Sequence, residues 1–236
     1  MKSFCSIRLL ILIAGLLCAA GFLFGSHSSA EDAAPKWVTV RKAVDGDTLR
    51  LVDGRLVRLI GIDAPEIDHK KKMMQPMADR AWTFLIKATE GQKVHLKLGS
   101  EVKDRYGRML AYVYDQNDNL INASILEAGY AYTLFVRPNT EMHEYLLAAQ
   151  QRAMDHQKGL WQHFYIQKSV FVGNRGSKRF HNIHCPLAKR IHEKNRIMFS
   201  SNRDAFYNGF APCKKCLGIR LDRKLKTVEM NAIHSE

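Results

Sequence analysis

Cysteine is scarce in this sequence and unevenly distributed. Of the five cysteines in 236 residues, Cys5 and Cys18 lie near the start, and only Cys185, Cys213 and Cys216 follow. An odd number of cysteines does not build the simple disulfide framework that small secreted domains use. The pattern therefore excludes a disulfide scaffold and favours another use of sulfur.

Acidic residues are also few, with 23 Asp and Glu against 36 Lys and Arg. A basic excess of this size is typical of proteins that meet nucleic acid, an anionic membrane surface or acidic glycan, although it also serves solubility alone. Apolar residues are not scarce, and their 46% share excludes a disordered chain. The length allows one large domain, or one domain with a small satellite.

The N-terminus has the pattern of a secretory signal. Lys2 and Arg8 precede an uncharged apolar run over residues 9–25, and Ser28 and Ala30 are small residues suited to cleavage after position 30. We therefore expect residues 1–30 to be removed, the protein to be exported to the periplasm or the medium, and no stable membrane association to remain. The alternative is an uncleaved anchor, because the run borders on the length that spans a bilayer.

Apolar periodicity predicts a small barrel. Five short strands, with one helix between the third and fourth, are typical of a Greek-key barrel of the OB type; a β-meander beside a helical layer is the alternative. The fold class is therefore α+β, with a five-stranded OB-type β-barrel and about three helices. The basic segment 67–76 is predicted to be an exposed loop. The predicted strands are 37–44, 48–52, 55–60, 93–98 and 109–114, and the predicted helices are 77–89, 121–128 and 141–158.

Carboxylates are crowded between positions 44 and 66. Asp45, Asp47, Asp63 and Glu66 lie there, with Arg58 among them. Closely spaced negative charges repel one another unless a cation joins them, so the stretch predicts a divalent cation. Asp47 and Asp63 are near the ends of different strands and could reach one ion, whereas Asp45 is better suited to forming the turn.

Three motifs in a fixed order carry a family resemblance. They are AVDGDTLRL at 43–51, VRLIGIDAPE at 57–66 and DRYGRMLAYVY at 104–114, with a predicted helix between the second and third. Together they resemble the thermonuclease (staphylococcal nuclease-like) family over about residues 37–162. The resemblance implies a Ca2+-dependent nuclease that hydrolyses DNA and RNA with little sequence specificity and leaves 3′-phosphates.

The resemblance also implies roles for particular residues. Calcium would be held by Asp47, Asp63 and the main-chain carbonyl of Ala64. The implied catalytic residues are Arg58, Glu66 and Arg108. This agrees with the chemistry of the side chains, since a carboxylate can orient or deprotonate water and arginine can present two donors to a phosphate.

Substrate contacts are expected at three places. By resemblance, Arg105 and Tyr106 lie near the phosphate of the bound nucleotide. Lys70 and Lys71 could add non-specific attraction to phosphates, or could belong to a solvated loop. Phe135 and Arg137 stand where the best-studied branch of the family has tyrosines, so a base could still stack on Phe135 while Arg137 would contact phosphate.

A second metal site is predicted near the C-terminus. His181 and Cys185 precede the pair Cys213-x2-Cys216 by about thirty residues, and these four residues form the ligand set of a closed structural zinc site. The pattern resembles the small metal-binding domain of the Ada DNA-repair proteins, with a histidine in place of the first cysteine. His184 is an alternative nitrogen ligand, although it is adjacent to Cys185. The alternatives to a metal site are a Cys213–Cys216 disulfide with Cys185 free, or three buried thiols.

These predictions divide the chain into a signal peptide (1–30), a nuclease barrel (31–165), a small Cys3His zinc-binding α+β domain (166–218) and a basic tail that is expected to be partly disordered (219–236). The predicted partners are DNA and RNA, and the expected state is a monomer. The alternative function is a non-catalytic module that holds nucleic acid at the cell surface.

Overall fold

The computed structural model describes residues 37–68 and 73–217. The predicted signal peptide, the tail, Lys70 and Lys71 lie outside the described residues. Among the helices of the described part, none combines the length and apolar character needed to cross a membrane.

The first part of the described chain contains nine strands and three longer helices. The strands are β1 (Trp37–Ala43), β2 (Thr48–Leu51), β3 (Leu56–Leu59), β4 (Ile62–Asp63), β5 (Ile67–Asp68), β6 (Met73–Met74), β7 (Lys93–Lys103), β8 (Met109–Tyr114) and β9 (Tyr132–Thr133). The helices are α1 (Ala78–Thr89), α2 (Ile121–Glu127) and α3 (His143–Asp155), and a 3-10 turn follows at Gly159–Trp161.

Five of these strands close into a barrel in the order β1-β2-β3-β8-β7. The neighbouring pairs are antiparallel except for β3 and β8, where Val57 pairs with Met109 and Leu59 with Ala111 in parallel register. Side chains such as Val57, Leu59 and Ala111 are buried in the barrel core. The predicted OB-type α+β fold is thus confirmed.

The elements differ from the prediction mainly at their ends. Strand β7 runs on to Lys103, five residues beyond the predicted end, because Lys103 pairs with Met109 at the far end of the hairpin. The segment 67–76 was predicted to be a loop, and this was wrong in part, since Ile67 pairs with Met74 and Asp68 with Met73. Strands of two residues carry too little alternation to be recognised from sequence.

The C-terminal part forms a four-stranded sheet in the order β12-β10-β11-β13. Strands β11 and β13 are parallel, and Phe180 pairs with Pro212. The elements are β10 (Lys168–Asn174), β11 (Arg179–Asn182), α4 (Pro186–Lys189), β12 (Arg196–Ser201), α5 (Asn202–Tyr207) and β13 (Ala211–Pro212), with a 3-10 turn at Glu193–Asn195.

An aromatic cluster joins this sheet to the first part of the chain. Tyr132 and Trp161 share it with Phe171, Phe180 and Phe206, and all five are buried. The Tyr132 and Phe206 rings are 5.4 Å apart, in the edge-to-face geometry that aromatic pairs prefer. Within the described residues, the barrel and the C-terminal sheet accordingly cluster as one compact unit. The predicted boundary between 165 and 166 stays a prediction, but packing across it is continuous.

A buried amide fixes the same junction. Gln150 on α3 accepts a hydrogen bond from the Thr133 N–H (2.6 Å) through its side-chain oxygen. Its nitrogen donates to the Phe206 carbonyl on α5 (2.6 Å). Because both bonds are buried, losing either would leave a polar group without water or a partner. The C-terminal sheet is therefore held in a defined position against α3.

Candidate active site

The turn between β1 and β2 is packed against the end of β4. The Asp45 carboxylate accepts a hydrogen bond from the Asp47 N–H (3.0 Å), which closes the turn. Gly46 leaves no room for a side chain, since a Cβ there would lie 2.6 Å from that of Ala64 and 2.7 Å from that of Ala81. Asp47 in turn accepts from the Ala64 N–H (3.0 Å). This contact joins the two motifs that supply the carboxylates.

Arg58 on β3 links the two predicted calcium ligands. Its Nη2 lies 2.9 Å from Asp47 Oδ2 and 3.2 Å from Asp63 Oδ1. Its Nη1 donates to the carbonyls of Leu59 (2.8 Å) and Ile62 (3.0 Å). The guanidinium is thus fixed by four acceptors, and the carboxylates of Asp47 and Asp63 converge on one point.

The charges at this point do not balance. Burial raises the pKa of Asp47 to about 7; Arg58 opposes the rise, and the neighbouring charges of Asp45 and Asp63 add to it. Burial alone would lower the pKa of Arg58, but Asp47 and Asp63 raise it above its ordinary value, so the arginine stays charged. Arg58 and the more exposed Lys214 face four carboxylates here, those of Asp45, Asp47, Asp63 and Glu66. The remaining excess of negative charge is one that a divalent cation would neutralise. The residues present therefore fit a calcium ion, which takes carboxylate and carbonyl oxygens as ligands.

Two hydroxyl groups complete the hydrogen bonds of the carboxylates. The Thr48 hydroxyl donates to Asp47 Oδ1 (3.1 Å) and the Tyr132 hydroxyl to Asp63 Oδ2 (2.9 Å). Burial, followed by the Asp63 charge, holds the pKa of Tyr132 well above its ordinary value, so the phenol remains a donor. Sequence reasoning missed Tyr132, because its strand has two residues and lies 69 positions from Asp63.

Glu66 and Arg108 are far apart in the sequence but line the same cavity. The Glu66 side chain is 54% exposed, while its backbone N–H donates to Gln75 Oε1 (2.9 Å). Arg108 is held by Asp104 (Nε to Oδ2, 2.7 Å) and reaches Thr48 Oγ1 (3.4 Å). The cavity has a volume of about 850 Å3, and the described residues around it include all five predicted catalytic and calcium-binding side chains: Asp47, Arg58, Asp63, Glu66 and Arg108.

The predicted substrate contacts separate into two groups. Arg105 and Tyr106 line the main cavity, and the Arg105 guanidinium lies 4.7 Å from the centre of the Tyr106 ring. Phe135 and Arg137 line a different cavity of about 230 Å3, where the Phe135 ring also packs against His143. Successive side chains over residues 134–137 point to alternate sides, so Leu134 and Val136 line the main cavity instead.

The four predicted zinc ligands come together in the C-terminal part. The potential ligand atoms of His181, Cys185, Cys213 and Cys216 all lie within 4.8 Å of one another. Within the described residues, no disulfide joins the three thiols. His181 Nδ1 is buried and has no hydrogen-bond partner in the part of the chain that the structure describes. An orphaned buried nitrogen beside three thiols is what a closed metal site leaves when the ion is taken away.

Protonation in this cluster also suits a metal. Burial, followed by the charge of Arg179, lowers the pKa of His181, which keeps the imidazole neutral. Burial opposes ionisation of Cys185, but the N–H groups of Leu187 and Ala188 and the neighbouring thiols hold its pKa below the ordinary value. Burial raises the pKa of Cys216 to about 12, so this thiol needs a cation to ionise.

Comparisons with known proteins agree with the site. Residues 56–163 match the sequence model of the family described as staphylococcal nuclease homologue. The chain is 34% identical to the thermonuclease of Staphylococcus intermedius over 137 residues, covering 57% of this chain and 81% of that protein. It is 35% identical to the thermonuclease of Staphylococcus hyicus over 125 residues, covering 52% of this chain and 73% of that protein.

A further relative matches more of the chain. Endonuclease YhcR of Bacillus subtilis (strain 168) is 29% identical over 226 residues, which cover 84% of this chain but 18% of YhcR, so the chain spans about a fifth of that protein. A match of that extent cannot be confined to residues 1–165. The family model ends at residue 163, and the resemblance of the C-terminal part to the Ada metal-binding domain stays a prediction.

Proposed function

The chain belongs to the family of staphylococcal nuclease homologues, enzymes that hydrolyse phosphodiester bonds of nucleic acids, and we propose that it is an exported Ca2+-dependent nuclease that cleaves DNA and RNA with little sequence specificity. One observation carries the proposal. Arg58 joins Asp47 and Asp63 in a cavity that Glu66 and Arg108 also line. Each group that the reaction needs is therefore available at one place.

Calcium would be held by the carboxylates of Asp47 and Asp63 and by the carbonyl of Ala64. When bound, the ion supplies Lewis-acid charge and orients the phosphate, but it acidifies its water only weakly. A general base is consequently useful.

The proposed chemistry is attack of water on phosphorus. Glu66 accepts a proton from that water, a new O–P bond forms and the P–O5′ bond breaks. The departing 5′-oxygen takes up a proton from solvent water, which leaves a 3′-phosphate and a 5′-hydroxyl. Arg58 and Arg108 stabilise the charge that develops on the phosphate oxygens. Glu66 suits the role of base because its side chain is half exposed and can reach water.

The test compares cleavage of single-stranded and duplex DNA in calcium and in chelator. We expect wild-type cleavage to require calcium, and Glu66→Gln to lose about two to four decades of rate. Glu144→Gln is the matched control, since that carboxylate is 90% exposed and lies outside the cavity. Cleavage that persists in chelator would overturn the mechanism, and tight binding without cleavage would favour a non-catalytic binding module.

The C-terminal ligands support a second metal. We propose that His181, Cys185, Cys213 and Cys216 hold one structural zinc ion, because a set with three cysteines and one histidine suits zinc and leaves no open position. The leader motif supports export, and N-terminal sequencing of protein recovered outside the cytoplasm should find Glu31 as the first residue.

A further inference from the structure

Two basic side chains from the C-terminal part line the catalytic cavity. These are Arg179 on β11 and Lys214, which lies between the proposed zinc ligands Cys213 and Cys216. Lys214 Nζ is 3.3 Å from Glu66 Oε1 and 3.8 Å from Asp63 Oδ2. Both residues lie beyond position 163, where the family match ends. The catalytic cavity is therefore built in part by a segment outside the family's own domain.

The backbone around Lys214 is fixed by its neighbours. The Cys213 N–H donates to the Phe180 carbonyl (2.9 Å), and the Leu217 N–H donates to the Cys213 carbonyl (2.8 Å). Arg179 Nη1 donates to the carbonyl of Pro212 (2.9 Å), two residues before Lys214, so this bond holds Arg179 against the segment that carries Lys214. The Lys214 side chain itself is 62% exposed. The Lys214 ammonium group can thus move from the carboxylates to another anion while the Lys214 backbone stays in place.

The same two residues open onto a second cavity of about 590 Å3. Arg179 and Lys214 line both cavities, and Arg190 and Lys215 line the second. None of the described residues around the second cavity is acidic. This differs from the catalytic cavity, where carboxylates abound. A basic surface without carboxylates attracts a polyanion.

We propose that the C-terminal part forms the second half of the substrate groove, and that Lys214 and Arg179 bind phosphates of a nucleic-acid strand next to the bond that is cut. The strand continues over the second cavity past Arg190 and Lys215. This inference rests on the proposed nuclease function. Without substrate, the Lys214 ammonium pairs with the carboxylates of Glu66 and Asp63. With calcium bound at Asp63, a substrate phosphate would replace that carboxylate as the ion-pair partner of Lys214.

The experiment measures binding and cleavage for oligonucleotides of two lengths. Affinity for a 12-nucleotide single strand is measured by fluorescence anisotropy with calcium, in a Glu66→Gln background that prevents cleavage. Lys214→Met is expected to raise Kd about tenfold and to lower the slope of log Kd against log salt by about 0.7, the value for one lost phosphate contact on a single strand. Lys214→Arg should restore both quantities. Arg179→Met should act in the same direction.

Cleavage kinetics provide the second readout. With Glu66 present, Lys214→Met should raise KM by a larger factor for the 12-nucleotide substrate than for a dinucleotide substrate, since the dinucleotide has no phosphate beside the one that is cut. Lys168→Met is the matched control, because Lys168 is exposed on the same sheet and lines neither cavity.

The outcomes separate this inference from the function on which it rests. If Lys214→Met and Lys168→Met show the same Kd, salt slope and dependence on substrate length, the proposed groove is contradicted, while the proposed nuclease function is not. If Lys214→Met cleaves faster without losing affinity, Lys214 is an inhibitory contact and the inference is also overturned. If the wild type does not cleave but Lys214→Met still binds tenfold more weakly, the nuclease mechanism fails and the groove stands.

Discussion

Gly46 lies against Ala64 where the two motifs that carry the predicted calcium ligands meet, and a methyl group on Gly46 would have no space there. The carboxylates of Asp45 and Asp47 flank Gly46, and Asp63 precedes Ala64. The distance between the two predicted ligands therefore depends on this contact.

We expect Gly46→Ala to weaken calcium binding more than it weakens the fold. The new Cβ must displace either Ala64 or Ala81, an overpacking that typically costs about 1–3 kcal/mol. Calcium affinity by calorimetry and urea unfolding in chelator measure the two effects. Gly176→Ala is the control, since a Cβ there would meet only Asn174 Oδ1, at 3.3 Å. An unchanged calcium affinity would show that the turn does not set the ligand geometry.

Arg58→Met should destabilise the protein without calcium far more than with it. The substitution leaves Asp47 and Asp63 buried without their cation, and the loss of one partner of a buried ion pair typically costs about 3–5 kcal/mol. Calcium would replace the lost charge, so saturating calcium should recover part of the free energy of unfolding. Urea unfolding with calcium and with chelator checks this. Arg80→Met, at an exposed position on α1, should change neither value appreciably. Equal destabilisation under both conditions would argue against calcium at these carboxylates.

Calcium binding should strengthen as pH rises toward 7. The pKa of Asp47 in the folded, calcium-free protein is about 7, raised from 3.8, so this carboxyl holds a proton at lower pH, and calcium must displace it. A raised folded-state pKa stabilises the folded protein below pH 3.8, and this stabilisation is lost as pH rises through 7. Calorimetry between pH 5.5 and 8 should therefore find tighter binding with rising pH, levelling off above 7, with proton release at the low end. In chelator, the corresponding fall in stability should be absent from Asp47→Asn.

The C-terminal cluster should hold about one zinc ion per chain. His181→Ala and Cys213→Ser should lose the metal, because each removes one of four ligands from a closed site. His184→Ala is the matched control: this histidine is adjacent to Cys185, exposed and outside the cluster. Metal analysis of freshly purified protein gives the content. Zinc-free wild-type protein, or equal zinc in His181→Ala and His184→Ala, would contradict the assignment.

The sequence predicts the parts of the site that short motifs carry. Asp47, Arg58, Asp63, Glu66 and Arg108 all lie in motifs whose order fits a barrel, and the structure brings them to one cavity. The four predicted zinc ligands come together in the structure for a similar reason, since chelating residues recur at short spacings. In both cases local sequence determines local geometry.

The position of Lys214 beside Glu66 could not be predicted in this way. Its contact with Glu66 spans 148 positions and depends on how the C-terminal sheet packs on α3, through Gln150 and the aromatic cluster. Tyr132 was missed for the same reason. The orientation of Phe135 depends on which face of an irregular segment meets the barrel, and a one-residue shift reverses it.

The aromatic cluster around Tyr132, Trp161 and Phe206 also affects whether the barrel can be produced without the C-terminal sheet. Truncation after residue 165 would keep every residue of the catalytic motifs, yet it would bare the rings of Tyr132 and Trp161 and leave Gln150 Nε2 without its acceptor. Such a fragment would expose an apolar surface that promotes aggregation. We therefore expect the barrel of this chain to depend on the C-terminal sheet for its stability, so that the two parts are best expressed together.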